Sequence, residues 1–140
     1  MTSVEKRHKG DIALLLLEDA YDSFQNEKYY SAIHLAGASA EVLCLLCEKA
    51  GLISPHVELK SMLSDLYNSD QNFFDKPKEA LKAMDRVKNA IKHLDLKDDN
   101  DLYLICNPRL RAAQYINKAN KAVQELGVEK NFEVQLKNDS

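Results

Sequence analysis

The sequence predicts an all-α protein, and three observations predict it. Apolar residues recur at helical rather than alternating spacing through most of the chain. Only four glycines and three prolines occur among 140 residues, and tryptophan is absent. The glycines and prolines that do occur stand mostly where the apolar periods begin or end. A chain of this length with 45% hydrophobic residues can bury one core, so a single helical domain over residues 1–127 is expected, with a loosely ordered tail at 128–140. The expected architecture is an up-and-down bundle of four long helices with a short extra helix after the second.

The first helix should begin at Val4 or Asp11 and run to Phe24, because Ile12, Leu16, Ala20 and Phe24 stack at helical spacing. The leucines of IALLLL widen that stripe, so this helix should touch more than one neighbour. The second fills about 20 residues of EKYYSAIHLAGASAEVLCLLCEKAG and should stop at Gly51, placed for a left-handed C-terminal cap. It is apolar nearly all round, and its one narrow polar stripe carries His34, Ala38, Glu41, Leu45 and Glu48. Ala36, Gly37, Ala38 and Ala40 would let another backbone approach closely, which favours a homodimer.

Ser54 before Pro55 is a start signal for the short helix, which Leu59, Met62, Leu63 and Leu66 carry to about Tyr67. NSDQNFFDK reads as a loop anchored by Phe73 and Phe74. Pro77 opens the third long helix, expected to persist to Leu96, where KDDND interrupts it. The fourth spans LYLICNPRLRAAQYINKANKAVQELG, with Ala112, Tyr115, Ile116, Ala119, Val123 and Leu126 on its apolar face and Gly127 as its stop. Pro108 either kinks this helix or marks its true start. Phe132, Val134 and Leu136 alternate weakly in the tail, too little for a lone strand.

Composition narrows the function. A formal charge of -3 and a pI near 5.8 exclude a molecule coated in basic surface for duplex DNA, so any contact with nucleic acid must be local. Three cysteines make no even disulfide framework and fit a reducing cytoplasm. The apolar run near the N-terminus has six residues against the roughly 20 that span a bilayer, and it lacks a signal-peptide pattern. A soluble, cytoplasmic protein without membrane contact is expected. Cys44-x2-Cys47 is half a zinc site with no second half, so both cysteines read as small buried hydrophobes, and neither metal nor cofactor is expected. DLKDDNDLYLI has the acidity of a calcium loop but not its glycine or terminal glutamate, and reads as a capped turn. Tyr29, Tyr30 and Tyr103 either stack on bases or are partly buried against the helices.

The chemistry concentrates in DRVKNAIKH, residues 85–93. With Arg86 set at 0°, helical projection puts Asn89 at roughly -60° and His93 at roughly -20°, on the border of the apolar arc formed by Met84, Val87, Ala90, Ile91 and Leu94. Residues 76–97 hold seven basic side chains against three acidic ones, a local charge of +4 in a chain whose remainder carries -7. Such a helix draws anions to one face, an arginine fork grips phosphate oxygens, and a histidine moves protons near neutral pH.

Over roughly residues 10 to 126, the four-helix layout, the segment HLAGASAEVL and the Arg86-x6-His93 spacing resemble the HEPN superfamily, the higher eukaryotes and prokaryotes nucleotide-binding domains. Many members are metal-independent endoribonucleases with an Arg-x(4 to 6)-His motif, and two motifs commonly meet across a dimer. The commonest form is Arg, a polar residue, three others, then His. Aligning on Asn89 and His93 puts Lys88 where that arginine stands. The resemblance implies an endoribonuclease or an RNA- or nucleotide-binding protein of a bacterial toxin–antitoxin, defence or stress system, with a cognate antitoxin-type protein as a further partner. His93 would be the general acid or base, Arg86 would stabilise charge on the phosphate, and Asn89 would orient either group. Glu41, His34 and Lys88 would support them. The competing reading is a non-catalytic helical module for dimerisation or partner binding. In it Glu41 closes the helices by an ion pair, with Arg86 as the expected partner, and His34 is a hydrogen-bonded packing residue.

Overall fold

The computed structural model describes residues 3–69, 77–94 and 102–127, and among them the chain is all-helical, without strands. The loop expected around Phe73 and Phe74, the acidic turn at 95–101 and the tail with Phe132, Val134 and Leu136 lie outside the described residues. Five helices run through the described residues in the order α1 Lys9–Gln25, α2 Tyr29–Lys49, α3 Pro55–Ser69, α4 Pro77–His93 and α5 Pro108–Glu125.

α1 begins between the two expected starts, where His8 caps it by accepting the Gly10 N–H on Nδ1 at 2.9 Å. Its buried line is Gly10, Ala13, Leu14, Leu17 and Ala20, while Ile12 is 43% exposed. The expected stripe through Ile12 and Leu16 is therefore displaced. IALLLL offers apolar side chains in every direction, so contact with both α2 and α5, not periodicity, selects the face. Glu27 ends the helix at φ 59°, with its N–H on the Phe24 carbonyl at 3.1 Å and the Lys28 N–H on the Ser23 carbonyl at 2.8 Å. This is a Schellman closure built on a residue other than glycine. α2 closes the same way on Gly51, at φ 77°, with Leu52 N–H reaching the Cys47 carbonyl at 2.8 Å.

The extra helix, α3, is not short: its 15 residues approach the 17 of α4. Ser54, fully buried, starts it by accepting the Val57 N–H at 3.1 Å. α4 ends at His93, before the expected Leu96, because Leu94 turns into the left-handed region at φ 48° while donating to the Ala90 carbonyl at 2.9 Å. For α5, Pro108 is the true start. Asn107 caps the helix by accepting the Leu110 N–H at 3.1 Å, and proline fills a first-turn position whose missing N–H has no helical partner anyway.

The core sits between α1, α2 and α5. Leu17, Ile33, Leu43 and Val123 are its largest fully buried apolar side chains, and Val87 is the contribution of α4. Small residues let these helices approach closely: Ala13 and Ala20 on α1, Ala32, Ala36 and Ala40 on α2, Ala112, Ala119 and Ala122 on α5. Two buried side-chain donors tie them together, Ser39 Oγ to the Ala13 carbonyl at 2.7 Å and Cys47 Sγ to the Ala122 carbonyl at 3.6 Å. At one end Phe24 meets Tyr29 edge-on and carries the Arg109 guanidinium over its ring. Ala36, Gly37 and Ala40 are thus covered within the chain, so the stripe expected to favour a second copy joins helices of one protomer. α2 is long and apolar enough to cross a membrane by length and composition, and half of it is buried inside the protein, as in a core helix. α4 packs on α2 and α3, and α3 also touches α5. The basic helix therefore meets α2 at Gly37 and Glu41.

Candidate functional site

Helix register divides the polar residues of α4 between two environments. Lys88 points at α2, where Gly37 leaves a notch: a Cβ built on Gly37 would stand 2.5 Å from Lys88 Cγ and 2.6 Å from Cδ. The lysine stem lies in that notch and the residue is only 8% exposed. Its ammonium reaches Glu41 Oε1 at 2.7 Å, and Asp85 Oδ1 stands 3.9 Å away. Lys92, one turn on, approaches the other oxygen of Glu41 at 3.4 Å. Burial raises the Glu41 pKa, but the hydrogen bond and charge of Lys88, followed by those of Lys92, outweigh it and hold the carboxyl below its ordinary value.

Arg86 and Asn89 occupy the other environment. Both are exposed, and neither makes a hydrogen bond or ion pair with a described residue. His93 is the last residue of α4, and its side chain lies outside the described residues. Because α4 is regular, seven residues bring the backbone position of His93 to within roughly 20° of Arg86, whereas five leave it roughly 140° from Lys88. Glu41 does face α4, but it pairs with Lys88 and Lys92 and not with the expected Arg86, which is exposed. His34, expected as a hydrogen-bonded packing residue, is exposed and has no such bond to a described residue. It stands about one turn before Gly37 on α2.

Behind the Lys88–Glu41 pair opens a cleft of about 320 Å³ between α2, α3, α4 and α5. Glu48 and Asp85 supply acid, Lys118 supplies base, and His56, Cys44 and Tyr115 complete its chemistry. His56 Nδ1 stands 3.3 Å from Lys118 Nζ. Burial first, and the positive charge of Lys118 second, hold the imidazole below its ordinary pKa, so it is a neutral acceptor for the ammonium. Burial likewise pushes the Cys44 and Cys47 thiols up, as expected for packing groups. Among the described residues no cluster of His, Cys, Asp or Glu suits a metal ion. Tyr29 is partly buried against Phe24, whereas Tyr30 and Tyr103 are exposed. Sequence reasoning did not find His56, Asp85 and Lys118 as a group. They come from three helices, and only the Ser54–Pro55 start signal, which puts His56 in the first turn of α3, pointed toward one of them.

Together these features define an all-helical protein with a basic helix partly locked to its core and partly open to solvent. No protein-family model matches the chain, and no curated protein or solved structure does either.

Proposed function

We propose that the protein is an RNA-directed domain of the HEPN type, an up-and-down helical bundle that acts as a homodimer and cleaves single-stranded RNA without metal. One observation carries this reading. Of the two motif cations, Lys88 is held in the Gly37 notch and paired with Glu41, while Arg86 is exposed and unpaired among the described residues, on the face that also holds Asn89. Arg86 is thus available to phosphate oxygens, and helical spacing supports His93 as its partner, two turns on along the same side of α4. His93 accepts the proton of a ribose 2'-hydroxyl as that oxygen attacks the adjacent phosphorus. The bond to the 5'-oxygen breaks and leaves a cyclic phosphate, and the same group or that of a second copy returns a proton to the leaving oxygen. Asn89 orients the phosphate, and Arg86 meets its growing negative charge. A toxin–antitoxin, defence or stress system, with a cognate antitoxin-type partner, is the setting such a reaction suits. Purified protein incubated with single-stranded RNA and a chelator should cut it, and His93→Ala should abolish cutting. Equal cleavage by that variant removes the mechanism.

A second reading has its own support. In the commonest form of the motif an arginine stands where this chain has Lys88, and here that residue fastens α4 to α2. On this account the domain is a non-catalytic module whose α4 face meets a partner or a second copy. It predicts no cleavage under any condition and a weaker dimer or complex for Arg86→Ala in sedimentation.

A further inference from the structure

A second opening, of about 310 Å³, lies between α3 and α5, adjoins the first cleft through Asp85, Tyr115 and Lys118, and uses none of the exposed residues Arg86 and Asn89 of α4. Its charged lining comes mainly from α5, where Arg111, Lys118 and Lys121 repeat at helical spacing. Against these three cations the described lining holds one acid, Asp85, and that carboxylate already has Lys88 at 3.9 Å. None of the three forms an ion pair with a described residue. Arg111 Nη1 donates to Gln114 Oε1 at 3.0 Å, which fixes its guanidinium along the helix and leaves its other nitrogens free. Among the described residues Lys118 hydrogen-bonds only with the neutral His56 ring. The amide of Asn117 adds a further donor, and Pro55 and Leu59 form an apolar wall opposite.

A surplus of two positive charges in a walled cleft concentrates a small dianion more strongly than the same charges on an open surface do. A planar guanidinium with two ammoniums also matches the several oxygens of a phosphoryl group better than the two of one carboxylate. We propose that this cleft binds a small phosphorylated dianion, with its phosphate between Arg111, Lys118 and Lys121 and its organic part against Pro55 and Leu59. The site is independent of any action of α4 on RNA, because it uses none of Arg86, Asn89 or His93.

Calorimetric titration with inorganic phosphate, phenyl phosphate and succinate tests it, with a short single-stranded RNA as a fourth arm. Phenyl phosphate should bind severalfold more tightly than inorganic phosphate, because only it reaches the apolar wall, and succinate should bind more weakly than either. Lys118→Gln and Lys121→Gln should each weaken phenyl phosphate about tenfold. Lys121 is exposed, so its variant folds even if that of half-buried Lys118 does not. Lys28→Gln, at the exposed start of α2, should leave binding unchanged. Phosphate binding should also raise the pKa of His56, read from its imidazole proton signals. Besides Lys118 the ring feels Asp85 and Lys88 of α4 and Glu48 of α2, which the ligand leaves in place. Equal affinity for succinate and phenyl phosphate, unchanged affinity in both lysine variants, or binding of RNA without binding of either phosphate would overturn the proposal.

Discussion

Two cations two positions apart on α4, Arg86 and Lys88, have opposite fates because a helix turns roughly 200° between them. Lys88 depends on the absence of a side chain at Gly37, so that glycine is a packing requirement and not a hinge. Gly37→Ala forces the lysine stem out of its notch. Overpacking of this kind costs about 1–3 kcal/mol, offset by about 1 kcal/mol of helix propensity. The net effect should be a loss of up to about 2 kcal/mol in urea unfolding. Combining it with Lys88→Ala should remove the clash, so the double variant should be no less stable than Lys88→Ala alone. Strict additivity of the two losses would contradict the notch. The sequence showed Gly37 as a small residue allowing close approach, but not that the approaching group is a lysine stem from a helix 51 residues downstream. Tertiary contact alone supplies that fact.

At the scale of the helix, stop signals were legible where they rest on local backbone chemistry. Gly51, Gly127 and Ser54–Pro55 act at the ends they mark, since each satisfies or omits backbone groups that a helix leaves unpaired. Pro108 left a kink and a start both open, and the Asn107 cap decides for the start. Without such a signature the turn itself was not legible, although α1 does end within one residue of the expected Phe24. Glu27 and Leu94 both adopt positive φ, and neither residue type advertises it. Glu27→Gly should therefore stabilise the α1–α2 closure by about 0.5–1 kcal/mol, a higher midpoint in thermal or urea unfolding. A lower midpoint would mean that the Glu27 side chain contributes more than its backbone strain costs. The face of α1 escaped for a different reason. A run of consecutive leucines carries almost no directional information, and the small residues of α2 and α5 decide which of them is buried.

For the whole molecule, the all-helical class was visible because apolar periodicity is a property of the chain. The polar cleft was not, because His56, Asp85 and Lys118 are far apart in sequence. Its titrating groups give the protein a defined pH profile. His56 and Glu41 both have folded pKa values below their ordinary ones, so the unfolded chain binds more protons, and stability rises with pH across their range. The His56 contribution is complete above its ordinary value of 6.5 and is lost as pH falls through its lower folded value. That of Glu41 is complete above 4.5 and goes on further acidification. Cys44 and Cys47 are shifted up, so their contribution is complete below 9.0 and declines as pH rises past it. Unfolding free energy should accordingly plateau between about 6.5 and 9, and His56→Gln should flatten its first acidic decline. A rise in stability from pH 7 to pH 5 would contradict the sign.

The central claim is that α4 divides its labour, with Lys88 holding the fold and Arg86 facing an RNA phosphate. Titration of single-stranded RNA against Arg86→Ala and Lys88→Ala, with the urea midpoint of each variant measured in parallel, tests it most directly. Arg86→Ala should weaken RNA about tenfold at an unchanged midpoint, and Lys88→Ala should lower the midpoint while keeping most of the affinity. RNA affinity equal to that of the parent protein in Arg86→Ala would contradict the account.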